Sequence, residues 1–312
     1  MNVLNLLTKS YGKLHSYRGI PYWVLTPFRR IIRRVTNVFL PNYLAKIHRQ
    51  HLNNRCDVIV SLTSFPARIN TVWMVVESLK NQTLRPMKII LWLSKEQFPT
   101  KQDIPNSLWE CEDSLFEVRI VDGDIRSHKK YYYVLQEYPD KSFVTCDDDI
   151  YYHPKMLQKL VETGKRYQGC IIANDTAEMK WDGEGNLKSY KDWGRDPKAY
   201  SSKNLVQIGI GGVLYPPHCL CNYVTRMDLF TRLAPLADDL WLSLMARLNG
   251  TPVIQAPDYA LPLPIESNAP TLSSENNGNN MNDQQIIKMR EWLQQEGLED
   301  VYGSDYNIEV RG

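Results

Sequence analysis

DVIVSLTSFPARINTVWMVVESLKNQTLRPMKIILWL, residues 57–93, decides the fold class. DVIVSL reads as a buried strand, with three β-branched apolar residues in succession. Behind it Ile69, Val72, Trp73, Val76 and Leu79 recur at helical spacing, and MKIILWL then returns to a second strand. Strands buried on both faces read as continuous apolar runs, and a helix between two of them is the crossover of a parallel pair.

The same alternation continues outward. EVRIV (117–121) and SFVTC (142–146) read as third and fourth strands, with SHKKYYYVLQEY (127–138) helical between them. PKMLQKLVETGKRY (154–167) predicts a helix with Pro154 at its first position. The fold class expected is α/β, with a mostly parallel central sheet flanked by helices. In such open sheets, ligands bind beyond the carboxyl ends of the strands. The second half is less regular. Residues 174–204 read as a long loop with short strands, and VQIGIGGVLYPP (206–217) mixes apolar residues with glycines. DDLWLSLMARLNG (238–250) is a helix with a glycine stop, and DQQIIKMREWLQQEG (283–297) is a last helix after a polar, flexible segment at 266–282. The expected organisation is a basic arm at 1–55, a catalytic domain at 56–265, and a C-terminal segment and helix at 266–312.

Charge is distributed unevenly. Ten of the 37 Lys and Arg, and none of the 35 Asp and Glu, fall before Asp57. Within IPYWVLTPFRRIIRRVTNVFLPNYLAKIHR (20–49), Ile31, Ile32, Val35, Val38 and Phe39 recur at helical spacing beside Arg29, Arg30, Arg33 and Arg34. That pattern resembles an interfacial helix on an anionic membrane surface, with residues 1–50 as the contacting region. A helix packed on its own acidic body is the alternative. Nucleic acid is not an expected partner, since no recognition motif accompanies the charge. No apolar run reaches the roughly 18 residues of a membrane span, and the start lacks the pattern of a signal peptide. The six cysteines have no framework spacing and read as reduced thiols of a cytosolic protein, which with the basic helix gives an expected location that is cytoplasmic and peripheral on the inner face of a membrane. His218-Cys219-Leu-Cys221 lacks the second half of a zinc site.

FVTCDDDIYY (143–152) places Asp147, Asp148 and Asp149 directly after the fourth strand. Adjacent carboxylates repel unless a cation neutralises them, and hard oxygen donors suit Mg²⁺ or Mn²⁺. Either ion could stabilise a departing diphosphate. The alternative is an acidic turn capping the helix near Pro154, for which three acids are more than is needed. Asp238 and Asp239 form a second acidic pair, which the macrodipole of their helix also favours.

Strand-end Asp-any-Asp is similar to the metal motif of A-type nucleotide-sugar glycosyltransferases. The opening IVSLTSFPARINTVWMVVESLKNQTLRPMKIILWL, the Lys-Lys helix, GIGGVLYPP and ADDLW occur in that family's order. Together they resemble bacterial capsule and lipopolysaccharide glycosyltransferases over roughly residues 56–295. The resemblance implies the A-type, Rossmann-like fold, with a nucleotide-sugar donor (a UDP-sugar foremost) and a saccharide or lipid-linked acceptor. It implies that Thr63, Ser64, Arg68, Asp124, Arg126, Lys129 and Lys130 contact the nucleotide. Asp147 and Asp148 would contact the ribose or sugar, with Asp149 holding Mn²⁺ or Mg²⁺ helped by Asp148 and Asp147. Gly211 and Gly212 would let the backbone approach the sugar. Asp239 would take the acceptor's proton in an inverting reaction, with Asp238 beside it. Trp181 and Trp193 are candidates for stacking on acceptor sugars or for the core, and Asn282-Asp283 for a helix cap or a closing element. Rival readings are a sugar-nucleotide nucleotidyltransferase, against which SLTSFPARI lacks the expected glycines, and a non-catalytic carbohydrate-binding protein. A dehalogenase-type phosphatase would need its acids on the first strand.

Overall fold

Neighbouring residues of a strand leave it on opposite faces, and here those faces meet two separate cores. The computed structural model describes residues 3–16, 22–46, 54–194, 204–257, 262–267 and 280–308. Helices α1 (Val3–Ser16) and α2 (Tyr22–Lys46) precede the sheet. Then come β1 (Val58–Thr63), α3 (Val72–Lys80), β2 (Lys88–Ser94), the short α4 (Asn106–Trp109) and β3 (Phe116–Val121). Next are α5 (Lys129–Glu137), β4 (Ser142–Cys146), β5 (Ile150–Tyr151), α6 (Met156–Arg166) and β6 (Ile171–Glu178). The chain continues through β7 (Leu205–Tyr215), α7 (Met227–Leu233), α8 (Asp238–Leu248), β8 (Val253–Gln255), β9 (Leu263–Pro264) and α9 (Met281–Gln295). The expected polar segment at 266–282 lies, from 268 to 279, outside the described residues.

Seven strands form one sheet in the order β3-β2-β1-β4-β7-β6-β8, and β7 alone runs against the others. The expected α/β, Rossmann-like arrangement is present. Ile59, Ile90, Trp92 and Phe143 join one core with Tyr131 and Val134 of α5 and residues of α8 and α9. Val60, Leu62, Ile89, Leu91 and Val144 join the other with α3, α6 and the N-terminal helices. The basic arm is therefore a packed helix pair. Leu4, Tyr11, Leu40 and Leu44 are buried in the second core.

Three expectations are revised. β6 runs through the start of the segment read as loop, and VQIGIGGVLYPP is mostly the long strand β7. Pro154 lies two residues before α6, where its carbonyl accepts from the Thr83 N–H at 2.7 Å. Separately from these revisions, the six cysteines read as reduced thiols are free, and Cys221 Sγ rests 3.3 Å from Met245 Sδ. Among the described residues, no helix is long and apolar enough to cross a membrane.

The β4–β7 ladder stops at Thr145–Val213, just before Gly212 and the acidic triplet. Gly211 and Gly212 have φ of +87° and +98°, where a side chain is strained. A Cβ on Gly212 would also stand 3.1 Å from Met156 Sδ. Gly212→Ala is expected to cost about 1–3 kcal/mol of stability, read as a lowered midpoint in urea unfolding.

Candidate active site

After β3 the chain crosses back over β1 to lay down β4, so the carboxyl ends of β1 and β4 meet at Leu62–Cys146. This is the switch point of a doubly wound sheet, outside which ligands of such folds bind. The side chains that follow these two strands are joined across it. Ser64 Oγ donates to Asp148 Oδ2 at 2.6 Å, and Arg68 Nη1 donates to Asp148 Oδ1 at 2.6 Å. The same guanidinium stands 3.0 Å from Asp149 Oδ2. Burial would lower the Arg68 pKa, but Asp148 and Asp149 outweigh it and hold the guanidinium charged.

The triplet divides by direction. Asp148 turns inward, is buried, and has both oxygens engaged by Ser64 and Arg68. Asp147 and Asp149 keep 28% and 27% of their side chains exposed. Burial and repulsion from Asp147 push the Asp149 carboxyl up to about 6, against the pull of Arg68.

Lys130 closes the other side. Its buried ammonium lies 3.1 Å from Asp147 Oδ1 and 2.9 Å from Asp238 Oδ2. Its backbone is held by Ser61 Oγ, which donates to the Lys130 carbonyl. Two residues earlier, His128 is buried between Tyr131 Oη (2.8 Å) and the Ala234 carbonyl (2.9 Å). Burial pulls that imidazole down to about 4, so it is neutral. Desolvation would lower the Lys130 pKa too, but Asp238, Asp147 and Asp239 hold it well above its usual value.

The pair at the start of α8 is pulled apart by its surroundings. Burial raises Asp238, but the adjacent Lys130 outweighs it and leaves the carboxyl below the usual range. Burial and the Asp238 charge push Asp239 up to about 7. The Gly209 N–H donates to Asp239 Oδ2 at 2.8 Å, and a Cβ on Gly209 would fall 2.9 Å from Asp239 Oδ1. Only glycine at 209 leaves room for this carboxylate. No sequence signal separated Gly209 from its neighbours, because the requirement comes from α8 crossing β7.

Five carboxylates thus surround two cations, Arg68 and Lys130. Among the described residues, no three His, Cys, Asp or Glu side chains already converge on one point. Mg²⁺ commonly takes only one or two protein carboxylates. The surplus of hard oxygen donors at Asp147 and Asp149, with Asp149 raised by burial and the Asp147 charge despite Arg68, fits a divalent cation.

Other predicted residues occupy defined places. Thr63 Oγ1 donates to the Trp92 carbonyl at 2.8 Å. Asp124 accepts from Gln97 Nε2 at 2.8 Å and from the Arg126 N–H at 2.9 Å, and pairs with Lys129. Burial raises Asp124, but Lys129 outweighs it and holds the carboxyl below its usual range. Arg126 itself has φ +53°. Lys129 and Lys130 are both buried in ion pairs. The Gly211 carbonyl accepts from Asn174 Nδ2 at 2.7 Å, another contact unseen in the sequence. Trp193 is buried and Trp181 is packed against the core, their indole N–H groups bonded to the carbonyls of Lys188 and Tyr302. Asp283 binds Ser189 Oγ and the Tyr190 N–H, both at 2.7 Å, and so ties α9 to the loop after β6.

No protein-family model matches the chain, and no curated protein matches it either. Solved structures with a similar arrangement include a mannosyltransferase from Pyrobaculum calidifontis in complex with GDP-Man and Mn²⁺. It is 11% identical, with 93% of this chain and 76% of that chain covered and a TM-score of 0.49. S. aureus TarS 1-349 in complex with UDP-GlcNAc is 14% identical over 76% of this chain and 66% of that one, with a TM-score of 0.43. An apo UDP-glucose pyrophosphorylase is 12% identical over 78% and 99%, with a TM-score of 0.39. These are distant likenesses, and the fold description above rests on the strand order itself.

Asp149 has a folded pKa above its ordinary value of 3.8. Its ionised form therefore opposes folding, and that penalty develops as pH rises from about 4 through 6. Without metal, Asp149→Asn is expected to be more stable than the parent at pH 8 by about 1–3 kcal/mol. The difference should vanish near pH 4, as measured by urea unfolding at both values.

Proposed function

We propose that this protein is a metal-dependent glycosyltransferase. It moves a sugar from a nucleotide-diphosphate sugar, a UDP-sugar foremost, to a saccharide or lipid-linked saccharide in surface-polysaccharide synthesis. The observation that carries the reading is the pairing of two unlike acidic sites at one sheet edge. A surplus of carboxylates suited to a cation lies beside a second pair, of which one member titrates near 7.

Asp147 and Asp149 would hold Mn²⁺ or Mg²⁺, which when bound supplies positive charge to the diphosphate. Ser64 and Arg68 brace Asp148 and so fix the direction of its neighbours. Thr63, Asp124, Arg126 and Lys129 line the nucleotide side, while Gly211 and Gly212 admit the sugar close to the backbone. Asp239 accepts the acceptor hydroxyl's proton as that oxygen bonds to the anomeric carbon. The bond from that carbon to the diphosphate oxygen breaks, with its electron pair leaving on the diphosphate. Direct displacement of this kind inverts the anomeric centre. Asp238, held ionised by Lys130, keeps Asp239 basic enough for the task. Nucleotidyl transfer is disfavoured because Arg68, the arginine of the loop after β1, is committed to Asp148 and Asp149.

A thermal-shift panel of nucleotide sugars with and without Mn²⁺ tests the reading. A UDP-sugar is expected to raise the melting temperature only when Mn²⁺ is present, and Asp149→Ala should lose both the shift and turnover. Shifts indifferent to metal would reject the cation assignment. For the base, kcat/KM should climb as Asp239 ionises through about pH 7. Asp239→Asn should lower turnover by about 10²–10⁴-fold without lowering the melting temperature. A pH profile that is flat between 5 and 9 would remove Asp239 from that role.

A further inference from the structure

α2 has two apolar faces. Leu25, Leu40 and Leu44 are buried against the protein, and Arg29 is buried with them. Phe28, Ile31, Val35, Val38 and Phe39 lie on the other side, 39% to 71% exposed. At 100° per residue these five form one stripe along the helix, with Arg30 and Arg34 at its edge. Both arginines are exposed and have no carboxylate partner among the described residues. Arg33 turns the other way, 2.8 Å from Glu266. Ile32, grouped with the stripe by sequence spacing, is half-buried and packs on the body's side.

Isolated exposed apolar residues are ordinary, but a continuous stripe of five is not. What covers it must accept apolar side chains and welcome cations. A second copy meets only the second requirement poorly, since an apposed stripe brings the same arginines. An anionic bilayer surface supplies both, with acyl chains for Phe28 to Phe39 and headgroup charge for Arg30 and Arg34. No acidic residue before Asp57 opposes that approach.

We infer that α2 docks flat on an anionic lipid bilayer through this stripe. The docked helix is tied to the acidic site. Asn37 Nδ2 donates to the Pro264 carbonyl at 3.0 Å, and the Glu266 N–H donates to Asn37 Oδ1 at 2.9 Å. Pro264 lies in β9, which pairs with β5 directly after the triplet. The Ile265 N–H donates to the Asp149 carbonyl at 2.7 Å. Docking therefore sets the acidic cluster at a fixed attitude to the lipid surface.

The test is co-sedimentation of the full chain with vesicles of phosphatidylcholine alone or with phosphatidylglycerol, without nucleotide sugar or metal, so that it is separate from catalysis. The parent protein is expected to bind the anionic vesicles. Arg30→Gln with Arg34→Gln, and separately Val38→Ser with Phe39→Ser, should each weaken binding by roughly tenfold or more. Melting temperatures should stay unchanged, because these side chains face outward. Absence of binding by the parent, or undiminished binding by both double variants, would overturn the inference. So would a lipid-free dimer that Val38→Ser with Phe39→Ser dissociates, since a second copy would then own the stripe.

Discussion

Lys130 places one ammonium between Asp147, beyond the end of β4, and Asp238, at the start of α8. Taking such a charge out of water costs several kcal/mol, and only close opposite charge offsets it. Here the offset comes from two acids on different elements, so the ion pair also fixes where α8 crosses the sheet. That crossing puts Asp239 over Gly209 and brings the second acidic pair beside the first. Arg68 plays the matching part on the β1 side, bridging Asp148 and Asp149. The two cations hold five carboxylates without neutralising them all, and this remainder gives the site its chemistry.

A bend in the chain just beyond β4 lets three adjacent acids differ in their partners. Asp147 faces the Lys130 ammonium, while Asp148 and Asp149 both meet the Arg68 guanidinium. Asp148 is the buried anchor for Ser64 and Arg68, and its neighbours stay partly exposed. The same divergence occurs in Asp238 and Asp239, one turned to Lys130 and the other to a backbone N–H. Two chemically identical neighbours end on opposite sides of the ordinary carboxylate range. A chain selected for stability alone would not keep Asp149 and Asp239 raised by burial and mutual repulsion. Such local cost is what a site built for chemistry retains.

The parts legible in the sequence were those fixed by local pattern. Continuous apolar strands, helical spacing between them and acids at a strand end are properties of short windows, and β1, α3, β2 and β4 followed them. Positions set by crossings were not legible. Gly209 matters because α8 passes over it, and Asn174 because a bulge in β6 turns it toward Gly211. Arg29 and Ile32 were misplaced for a related reason. Helical spacing shows that a helix is amphipathic, but with apolar residues on both faces only the packing decides which face is inward. Trp181 and Trp193 sit in an irregular stretch with no period to read, and their indole N–H bonds to backbone carbonyls mark them as supports.

The N-terminal helices read from charge as a basic arm, and the contacts of Asn37 tie that arm to the body of the protein. Asn37 bonds to the backbone on either side of Ile265, at Pro264 and Glu266. Ile265 in turn bonds to the Asp149 carbonyl, so three short contacts lead from α2 to an acid that burial and Asp147 raise. Removing residues 1–50 would strip Leu40 and Leu44 from a core that also contains Ile150 and Leu263. The β5–β9 pair beneath the triplet would lose its cover along with any lipid contact. Docking and site geometry are thus separable only by changes on the outward face of α2. On the proposed docking, α2 would be both the lipid-facing helix and a wall of the second core, unable to swing independently of it, so an acceptor held in the same lipid surface would meet the acidic cluster from a constant direction.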